Sequence, residues 1–484
     1  MVQLTDIVSA FAKGIARSKV SLIGAMLTTI IFPLLLGSIL LDMFGYITNP
    51  YFGFAIYMVM GPLFILGLIM VTLGLLFFKG KVDVGLFTLE YLREQFNDPA
   101  RFTRIRKLVF LGVFLTCVNL FVMGLLAYSG YHYMESVGFC GQFCHTVMNP
   151  EYTAYKNSPH SRVACVECHI GSGAQWFVKS KISGSRQLVA VALGTYPTPI
   201  ESPVHGLRPA RETCEECHRP ELFHGEKLVI LDKYRADEAN TKVASVLLMK
   251  IGSAGDRAVS SHGIHWHVAP ENSISYRATD HTRKEISEVT LSRPDGSRKV
   301  YRTDLAQKAG GTEVETRIMD CIDCHNRPSH VYLTPEQALD RKIQEGAIPA
   351  ELPYIKRQAL EIVTAKFTTV EGARTAIATQ LKNWYQKNYP ELTRSKGGVL
   401  EQAVKGVQAA YEENVFPAMK IDWNTYTNHI GHGETFDAGC FRCHDGNHKT
   451  DTGEVISADC NTCHSILAED EMNPQILKTL RGGE

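Results

Sequence analysis

Five stretches of this sequence follow the pattern Cys-x-x-Cys-His, and a sixth carries one additional residue between its cysteines. The six are Cys140/Cys144/His145 (the longer one), Cys165/Cys168/His169, Cys214/Cys217/His218, Cys321/Cys324/His325, Cys440/Cys443/His444 and Cys460/Cys463/His464. In c-type haem attachment, two thioethers hold the porphyrin edge and the adjacent histidine binds the iron. The sequence therefore predicts six covalently bound haems, the first at an atypical motif.

Disulfides and zinc sites are the two alternative interpretations of so many paired cysteines. Twelve of the 13 cysteines fall in the motifs, and each pair is followed directly by one of the 18 histidines. Neither disulfide bonding nor zinc binding requires that histidine, so haem attachment is favoured. The remaining cysteine, Cys117, lies in an apolar run, where a small buried side chain is expected.

The composition excludes one class of partner and indicates more than one domain. The chain has 484 residues, 45% of them hydrophobic, and its formal net charge is zero, so nothing points to nucleic acid. The apolar residues are concentrated in the first 128 positions. The first 128 residues are therefore suited to more apolar surroundings than the rest of the chain.

Three apolar runs are long enough to cross a bilayer: Val20–Leu41, roughly Phe52–Phe78 and roughly Leu108–Ala127. A cleaved signal peptide is the alternative for the first run, but its apolar core is too long and no small-residue cleavage site is evident. Lysine and arginine are concentrated before the first run and in the segment 79–107, which predicts that both are cytoplasmic. We therefore expect a multi-pass protein of the cytoplasmic (inner) membrane, in contact with the lipid bilayer, with its haem motifs in the periplasm.

The predicted fold class is a mainly α multihaem cytochrome c with an N-terminal three-helix transmembrane region and a small β-rich insert. We expect five parts: a transmembrane anchor at 1–128, a three-haem domain at 129–225, the β-rich insert at 226–316, the fourth motif with a helical segment at 317–418, and a two-haem segment at 419–484. Short helices and loops are expected around the first three motifs, because haem supplies most of the buried apolar surface there.

Alternating residues in SISYRATD and KEISEVTLSRPDGSRKVYRTD predict strands in the insert, with a turn at Pro294-Asp295-Gly296. The segment GIHWH is also expected to be a strand, with His265 and His267 on the same side. Helical periodicity returns over 334–416, as in PEQALDRKIQ.

A multihaem electron carrier needs a second axial ligand for each iron, and twelve histidines lie outside the motifs. The candidate distal ligands are His160, His205, His265 or His267, His330, His429 and His432. Each could instead be a structural or surface histidine, and His224, His262, His281 and His448 are less favoured. Met148 is a further candidate ligand, because a thioether would raise the potential of the haem that first accepts electrons. Packing against a porphyrin is the alternative role for Met148.

The stretch CHTVMNPEYTAYKNSPHSRVACVECH resembles the NapC/NirT family of membrane-anchored multihaem quinol dehydrogenases. The motif resemblance covers about residues 129–225, and the whole chain looks most like the larger inner-membrane cytochromes of metal-reducing bacteria. The resemblance implies an anaerobic respiratory role in extracellular electron transfer. Menaquinol from the membrane quinol pool would be oxidised, and the electrons would pass through the haems to periplasmic c-type cytochromes.

In that family a lysine shortly after the second motif contacts the quinol head group, which implies this role for Lys181, or for the nearby Lys179. Either lysine could instead pair with haem propionates. The sequence departs from the family in having three apolar runs, a longer first motif, and no carboxylate in Ser183–Leu188, where relatives carry one. Glu135 and Glu151 are candidate proton acceptors by position only.

Two other functions are compatible with the motifs. The chain could be a passive electron conduit fed by a protein partner, or a terminal reductase of a small oxyanion. A reductase needs an iron with an open position, and the Cys-x-x-Cys-Lys motif that similar nitrite reductases carry is absent from the sequence.

Overall fold

The structure is a computed structural model, and it separates the chain into two units, Met1–His145 and Thr146–Glu484. The residues that it describes are 18–47, 49–76, 99–171, 174–204, 208–219, 222–223, 225–252, 262–305, 315–433, 436–480 and 482. The amphipathic start of the chain and most of the basic segment 79–107 lie outside these residues. The five-part domain division stays a prediction.

The first unit is built from apolar helices. They are α1 (Lys19–Met43), α2 (Pro50–Phe54), a π-helical turn (Ala55–Met60), α3 (Gly61–Leu76) and α4 (Pro99–Glu135). Helix α2, the π turn and α3 follow one another without a break. Pro33 lies inside α1 without ending it. The described residues include three helical stretches long and apolar enough to cross a membrane, Lys19–Asp42, Tyr51–Gly74 and Phe110–Glu135. The three predicted runs are therefore confirmed as apolar helices.

Helices α1 and α3 approach closely because small residues line their contact. A Cβ added at Gly67 would lie 2.4 Å from the Thr28 hydroxyl oxygen, and one added at Gly24 would lie 2.7 Å from the Gly67 carbonyl oxygen. The Ser21 hydroxyl donates to the Val71 carbonyl across the same contact, at 3.2 Å. Close packing of small residues is the main way in which apolar helices associate in lipid.

We expect Gly67→Val to destabilise the helical unit by about 1–3 kcal/mol, because the new side chain overpacks the contact with α1. Gly112→Val in α4 is the matched control, since a Cβ added there meets no atom within 4 Å. Unfolding of the purified protein in detergent, followed by circular dichroism during titration with a denaturing detergent, measures the difference. Equal losses for the two variants would contradict the prediction.

Cys117 lies on the exposed surface of α4, so the expectation that it is buried within the protein is wrong. The apolar run around it has no polar face, and its sequence therefore does not indicate which side of the helix packs against the protein.

The first haem motifs lie among helices of very different length. After α4 come a π-helical turn (Phe139–Phe143), α5 (His145–Lys156), α6 (Cys165–His169), α7 (Ala174–Leu193) and α8 (Ala210–Cys214). Only short helices were expected here, but α7 is 20 residues long. Val178, Ile182, Val189 and Leu193 are spaced by four or seven positions, which supports a long helix with one apolar side.

The predicted β-rich region forms two antiparallel sheets. The strands are β1 (Lys227–Tyr234), β2 (Lys242–Met249), β3 (Ser273–Ala278), β4 (Ile286–Ser292), β5 (Arg298–Arg302), β6 (Glu315–Ile318) and β7 (His464–Glu471). One sheet has the order β1-β2-β7 and the other β5-β4-β3-β6. Strand β7 begins at the sixth motif histidine, and β6 ends just before the fourth motif. The sheets therefore fix two haem motifs.

The segment GIHWH is not a strand: Ile264–Val268 forms a 3₁₀ turn. The Ile264 N–H donates to the Lys250 carbonyl, and the Trp266 N–H donates to the Gly263 carbonyl. These bonds curl the backbone at the end of β2. Gly263, at a φ of 73°, adopts the left-handed backbone conformation from which the 3₁₀ turn begins.

A helical bundle whose sequence contains no haem motif separates the fourth and fifth motifs. The fourth motif lies in α9 (Cys321–Cys324), and the bundle consists of α10 (Pro335–Gln344), α11 (Ile355–Val363), α12 (Val370–Asn388), α13 (Pro390–Ser395) and α14 (Gly397–Glu412). Its core includes Leu339, Ile355, Leu381 and Tyr385, all fully buried. The predicted helical segment is thus confirmed. Gln475–Leu480 forms a last short helix, α15.

Candidate haem sites

Each regular motif lies in, or at the end of, one short helical turn. Besides α6, α8 and α9, these turns are the 3₁₀ segments Gly439–Arg442 and Cys460–Thr462. In three motifs the histidine N–H donates to the carbonyl of the first cysteine, at 2.7 Å for His218, 2.8 Å for His325 and 3.0 Å for His444. A turn of this kind brings residues three positions apart to the same side. The two thiols can therefore reach one porphyrin edge.

The first motif uses a wider turn. Phe139–Phe143 is π-helical, and Cys140 and Cys144 lie within it and directly after it. A π turn contains more residues than an α turn. The additional residue in this motif is thus accommodated by the wider turn, and the two cysteines can remain on one side.

Four motif histidines face a second imidazole at a nearly constant separation. The ring centroids are 6.0 Å apart for His160 and His218, 6.2 Å for His169 and His330, 5.8 Å for His267 and His444, and 6.5 Å for His432 and His464. A metal–imidazole bond is roughly 2 Å and the ring centre lies roughly 1 Å further, so two rings on one iron stand about 6 Å apart. The residues therefore fit a haem iron with two axial histidines.

The distal imidazoles of these pairs are oriented by backbone carbonyls. Each Nδ1 atom donates to a backbone carbonyl: that of His160 to Pro328 at 3.1 Å, that of His330 to Glu151 at 3.0 Å, that of His267 to Ile264 at 2.7 Å and that of His432 to Gly433 at 2.7 Å. A carbonyl only accepts, so the proton of each neutral ring is on Nδ1 and the lone pair is on Nε2. Outer bonds of this kind set the tautomer of metal-binding histidines.

His325, in the fourth motif, lies within electrostatic range of His265 and of His218. Burial lowers the pKa of His325, and His265 and His218 lower it further. His265 also donates from Nδ1 to a backbone carbonyl, that of Ile251, at 2.7 Å. Burial likewise lowers the pKa of His169 and of His267. The neutral ring, which is the form that binds a metal, is favoured at these positions.

Other candidate histidines are not brought into these pairs. His448 is buried, and both its ring nitrogens are engaged, Nδ1 with Asp445 at 3.0 Å and Nε2 with the Ile286 carbonyl at 3.1 Å. His429 is also buried, and burial and the nearby Arg442 lower its pKa to about 4. His205 lies outside the described residues.

The first motif histidine has a tyrosine as its neighbour. The Tyr51 hydroxyl is 2.8 Å from His145 Nδ1, and the Phe143 ring stacks on Phe54 at 4.5 Å. Sequence reasoning missed Tyr51, because nothing in the pattern separates it from the other aromatic residues near the ends of the apolar runs. Met148 is one turn after His145 in α5, so the two side chains project to the same side. His145 and Met148 would therefore approach a haem from the same side of α5, and the role of Met148 as a ligand stays a prediction.

Among the five regular motifs of the second unit, each motif lies near the one that follows it in the sequence. Cys168 lies within electrostatic range of Cys217, and the Cys214 thiol hydrogen-bonds with that of Cys321. Cys324 in turn is near Cys440, and Cys440 is near Cys463. The second to sixth motifs thus form a row, although long segments separate some of them in the chain.

Lys181 and Lys179 lie on α7, beyond the second motif. The Lys179 ammonium is 4.5 Å from the centre of the Trp176 ring, a cation–π contact. The same helix exposes Val178, Ile182, Val189 and Leu193, which fall on one stripe at helical spacing. Helix α7 is thus amphipathic, with exposed apolar side chains close to two lysines.

Comparison with known proteins gives the following similarities. Residues 103–203 match the NapC/NirT cytochrome c family, N-terminal region. The chain is 40% identical to the cytochrome c-type protein ImcH of Geobacter sulfurreducens, over 95% of this chain and 90% of that protein. It is 35% identical to the cytochrome c-type protein NrfH of Wolinella succinogenes, over 22% of this chain and 62% of that protein. No solved structure matches the chain.

Proposed function

Because this chain belongs to the NapC/NirT cytochrome c family, we propose that it is a quinol dehydrogenase of the cytoplasmic membrane, which oxidises menaquinol and delivers the electrons to periplasmic c-type cytochromes. Membership of the family makes the chain a membrane protein that carries haem c. The observation on which the proposal mainly rests is the row of motifs, in which four of the five regular motif histidines face a second imidazole and the fifth, His325, lies within electrostatic range of His265.

The ligand assignment that this geometry supports pairs each regular motif with one distal histidine. In motif order the pairs are His169 with His330, His218 with His160, His325 with His265, His444 with His267, and His464 with His432. With His145 at the first motif, the chain would hold six haems. Bound haem c would supply one-electron carriers at these positions. The chain's own part is to present Nε2 lone pairs and to fix each ring through its carbonyl bond.

The proposed topology has the three apolar helices in the membrane and the second unit in the periplasm. Basic residues at the cytoplasmic ends support this orientation, and so does haem attachment, which occurs outside the cytoplasm. The exposed apolar stripe of α7 is typical of a helix that lies at a membrane surface. We propose that Lys181, or Lys179 on the same helix, contacts the quinol head group there.

Menadiol, a soluble naphthoquinol, is expected to reduce the haems of the purified protein rapidly in a stopped-flow measurement of the haem absorbance. Quinol oxidation needs a site for the quinol on the protein itself, so Lys181→Ala should slow this reduction while leaving reduction by dithionite unchanged. Arg394→Ala, which alters an exposed ion pair in the helical bundle, is the control and should have no effect on either rate.

Reduction of the wild type by dithionite but not by menadiol would contradict the proposal, and would favour a passive conduit fed by a protein partner. A terminal oxyanion reductase is disfavoured on a different ground. Such an enzyme needs an iron with a vacant axial position, whereas a second imidazole lies beside the histidine of four regular motifs and within electrostatic range of the fifth.

A further inference from the structure

A carboxylate at the end of α1 is joined to a polar cluster between the apolar helices. The Tyr57 hydroxyl donates to Asp42 Oδ2 at 2.5 Å. The Tyr133 ring lies 5.3 Å from the Tyr57 ring, and the buried Ser129 hydroxyl faces the Tyr57 phenol. Asp42 and Glu135 are the only acidic residues in the three apolar stretches. Ionisable residues in apolar helices are rare and usually functional.

The cluster lies beside the first haem motif. Tyr133 contacts Phe139 edge to face at 5.2 Å, and Phe139 stacks on Phe143 at 5.6 Å. Tyr133 is also within electrostatic range of Cys144. Aromatic side chains thus connect Asp42 and Tyr57 to the site that holds His145. Asp42 and Cys144 of the first motif are each within electrostatic range of Tyr133, which therefore lies between the carboxylate and the motif.

The position along the helices suits a ligand that arrives from the bilayer. Asp42 ends the first apolar stretch, and Tyr133 is near the end of the third. Exposed aromatic side chains surround this level of the unit, as is typical of a membrane interface; they are Phe44, Tyr46, Tyr51, Phe52, Tyr128 and Tyr131. Asp42 itself is partly exposed, so a proton bound there can pass to water.

We propose that Asp42 accepts the protons that are released when quinol is oxidised at the first haem motif, a role that rests on the proposed quinol dehydrogenase function. One quinol O–H bond breaks for each electron removed. Its proton would pass to an oxygen of the Asp42 carboxylate, and ferric haem c, when bound at the first motif, would be the oxidant that takes up the electron. After Asp42 has released the first proton to water, it accepts the second, so that quinone, two protons and two electrons are formed.

Tyr57 is a positioning residue in this scheme, because it holds the carboxylate from the neighbouring helix. The titratable groups that face Asp42 are Tyr57 on the π-helical turn and Tyr133 on α4, with Cys144 beyond Tyr133. Asp42 and Tyr57 both precede the residues that match the family model, 103–203.

The test uses the full-length protein in lipid nanodiscs, with menadiol as the electron donor. Asp42→Asn should lower kcat on the order of 10²-fold, with little change in KM, and should remove the acid limb of the pH–rate profile. Asp42→Glu, which retains a carboxylate, should restore most of the rate. Tyr57→Phe removes the hydrogen bond but leaves the carboxylate, so its loss of rate should be much smaller than that of Asp42→Asn.

Three measurements other than turnover accompany these rates: haem content, the midpoint potentials of the haems, and calorimetric binding of a hydroxyquinoline N-oxide, which is a quinol-site inhibitor. All three should be unchanged in Asp42→Asn. Equal losses of kcat in Asp42→Asn and Tyr57→Phe, accompanied by a changed haem content, would show that the Tyr57–Asp42 hydrogen bond has only a structural role. That result would overturn the inference.

An unchanged rate and pH profile in Asp42→Asn would also overturn the inference, as would a large effect confined to Glu135→Gln. In those cases the wild type still oxidises menadiol, so the proposed function stands. If the wild type itself fails to oxidise menadiol, the proposed function fails, and the role of Asp42 fails with it.

Discussion

Replacing His330 with methionine is expected to raise the midpoint potential of a single haem by about 0.1–0.2 V, within the wide range that axial ligands set. A thioether donates less electron density to ferric iron than an imidazole does, so the reduced state becomes relatively more stable. The ring of His330 lies 6.2 Å from that of His169, which makes the second motif the affected site. A potentiometric titration followed by haem absorbance measures the shift.

His281→Gln is the control for that titration, because His281 is exposed in a loop between β3 and β4. Its potentials should match those of the wild type. If the His330→Met titration also matched the wild type, His330 would not be a ligand and the pairing of motif and distal histidines would need revision. Haem content, measured on the same samples, separates a changed potential from a lost cofactor.

We expect Asp323→Ala to lower the free energy of unfolding by about 1–3 kcal/mol, because it leaves the buried Tyr276 hydroxyl without its acceptor and removes one of the two carboxylates that pair with the partly buried Arg317. Asp323 is 2% exposed and lies between the cysteines of the fourth motif. It accepts hydrogen bonds from the Tyr276 hydroxyl and from Arg317 Nε, the latter at 3.2 Å. Its second oxygen accepts from the Asp320 N–H at 2.7 Å, which also closes the cap of α9.

Asp451→Ala is the matched control, since it removes an ion pair with Arg302 that is almost fully exposed on the aspartate side. Exposed pairs contribute about 0–1 kcal/mol. Guanidinium unfolding followed by circular dichroism compares the two variants at equal haem content. Similar losses for Asp323→Ala and Asp451→Ala would show that burial of the network contributes little to stability.

The features that sequence reasoning predicted well are local ones. Apolar runs predicted the long helices of the first unit, and alternation around Pro294-Asp295-Gly296 predicted β4 and β5. Each of these signals lies within one short segment. They do not depend on the rest of the chain.

The arrangement of the distal histidines could not be predicted in the same way, because it is decided by tertiary packing. His265 and His267 are two residues apart, yet one lies near His325 and the other near His444. A strand would have pointed both rings to the same side, whereas the 3₁₀ turn separates them. The local sequence around His448 does not separate it from a candidate ligand. Its hydrogen bonds to Asp445 and to the Ile286 carbonyl, which engage both ring nitrogens, do so.

The position of the helical bundle has a consequence for how such proteins can diversify. The segment that contains the bundle begins after Cys324 and ends before Cys440, and these two cysteines lie near each other. The two ends of this segment are therefore close together. Segments with adjacent ends tolerate insertion and replacement. Evolution or protein engineering could therefore exchange the bundle for another module, and so change what the cytochrome recognises, without lengthening the route that electrons travel.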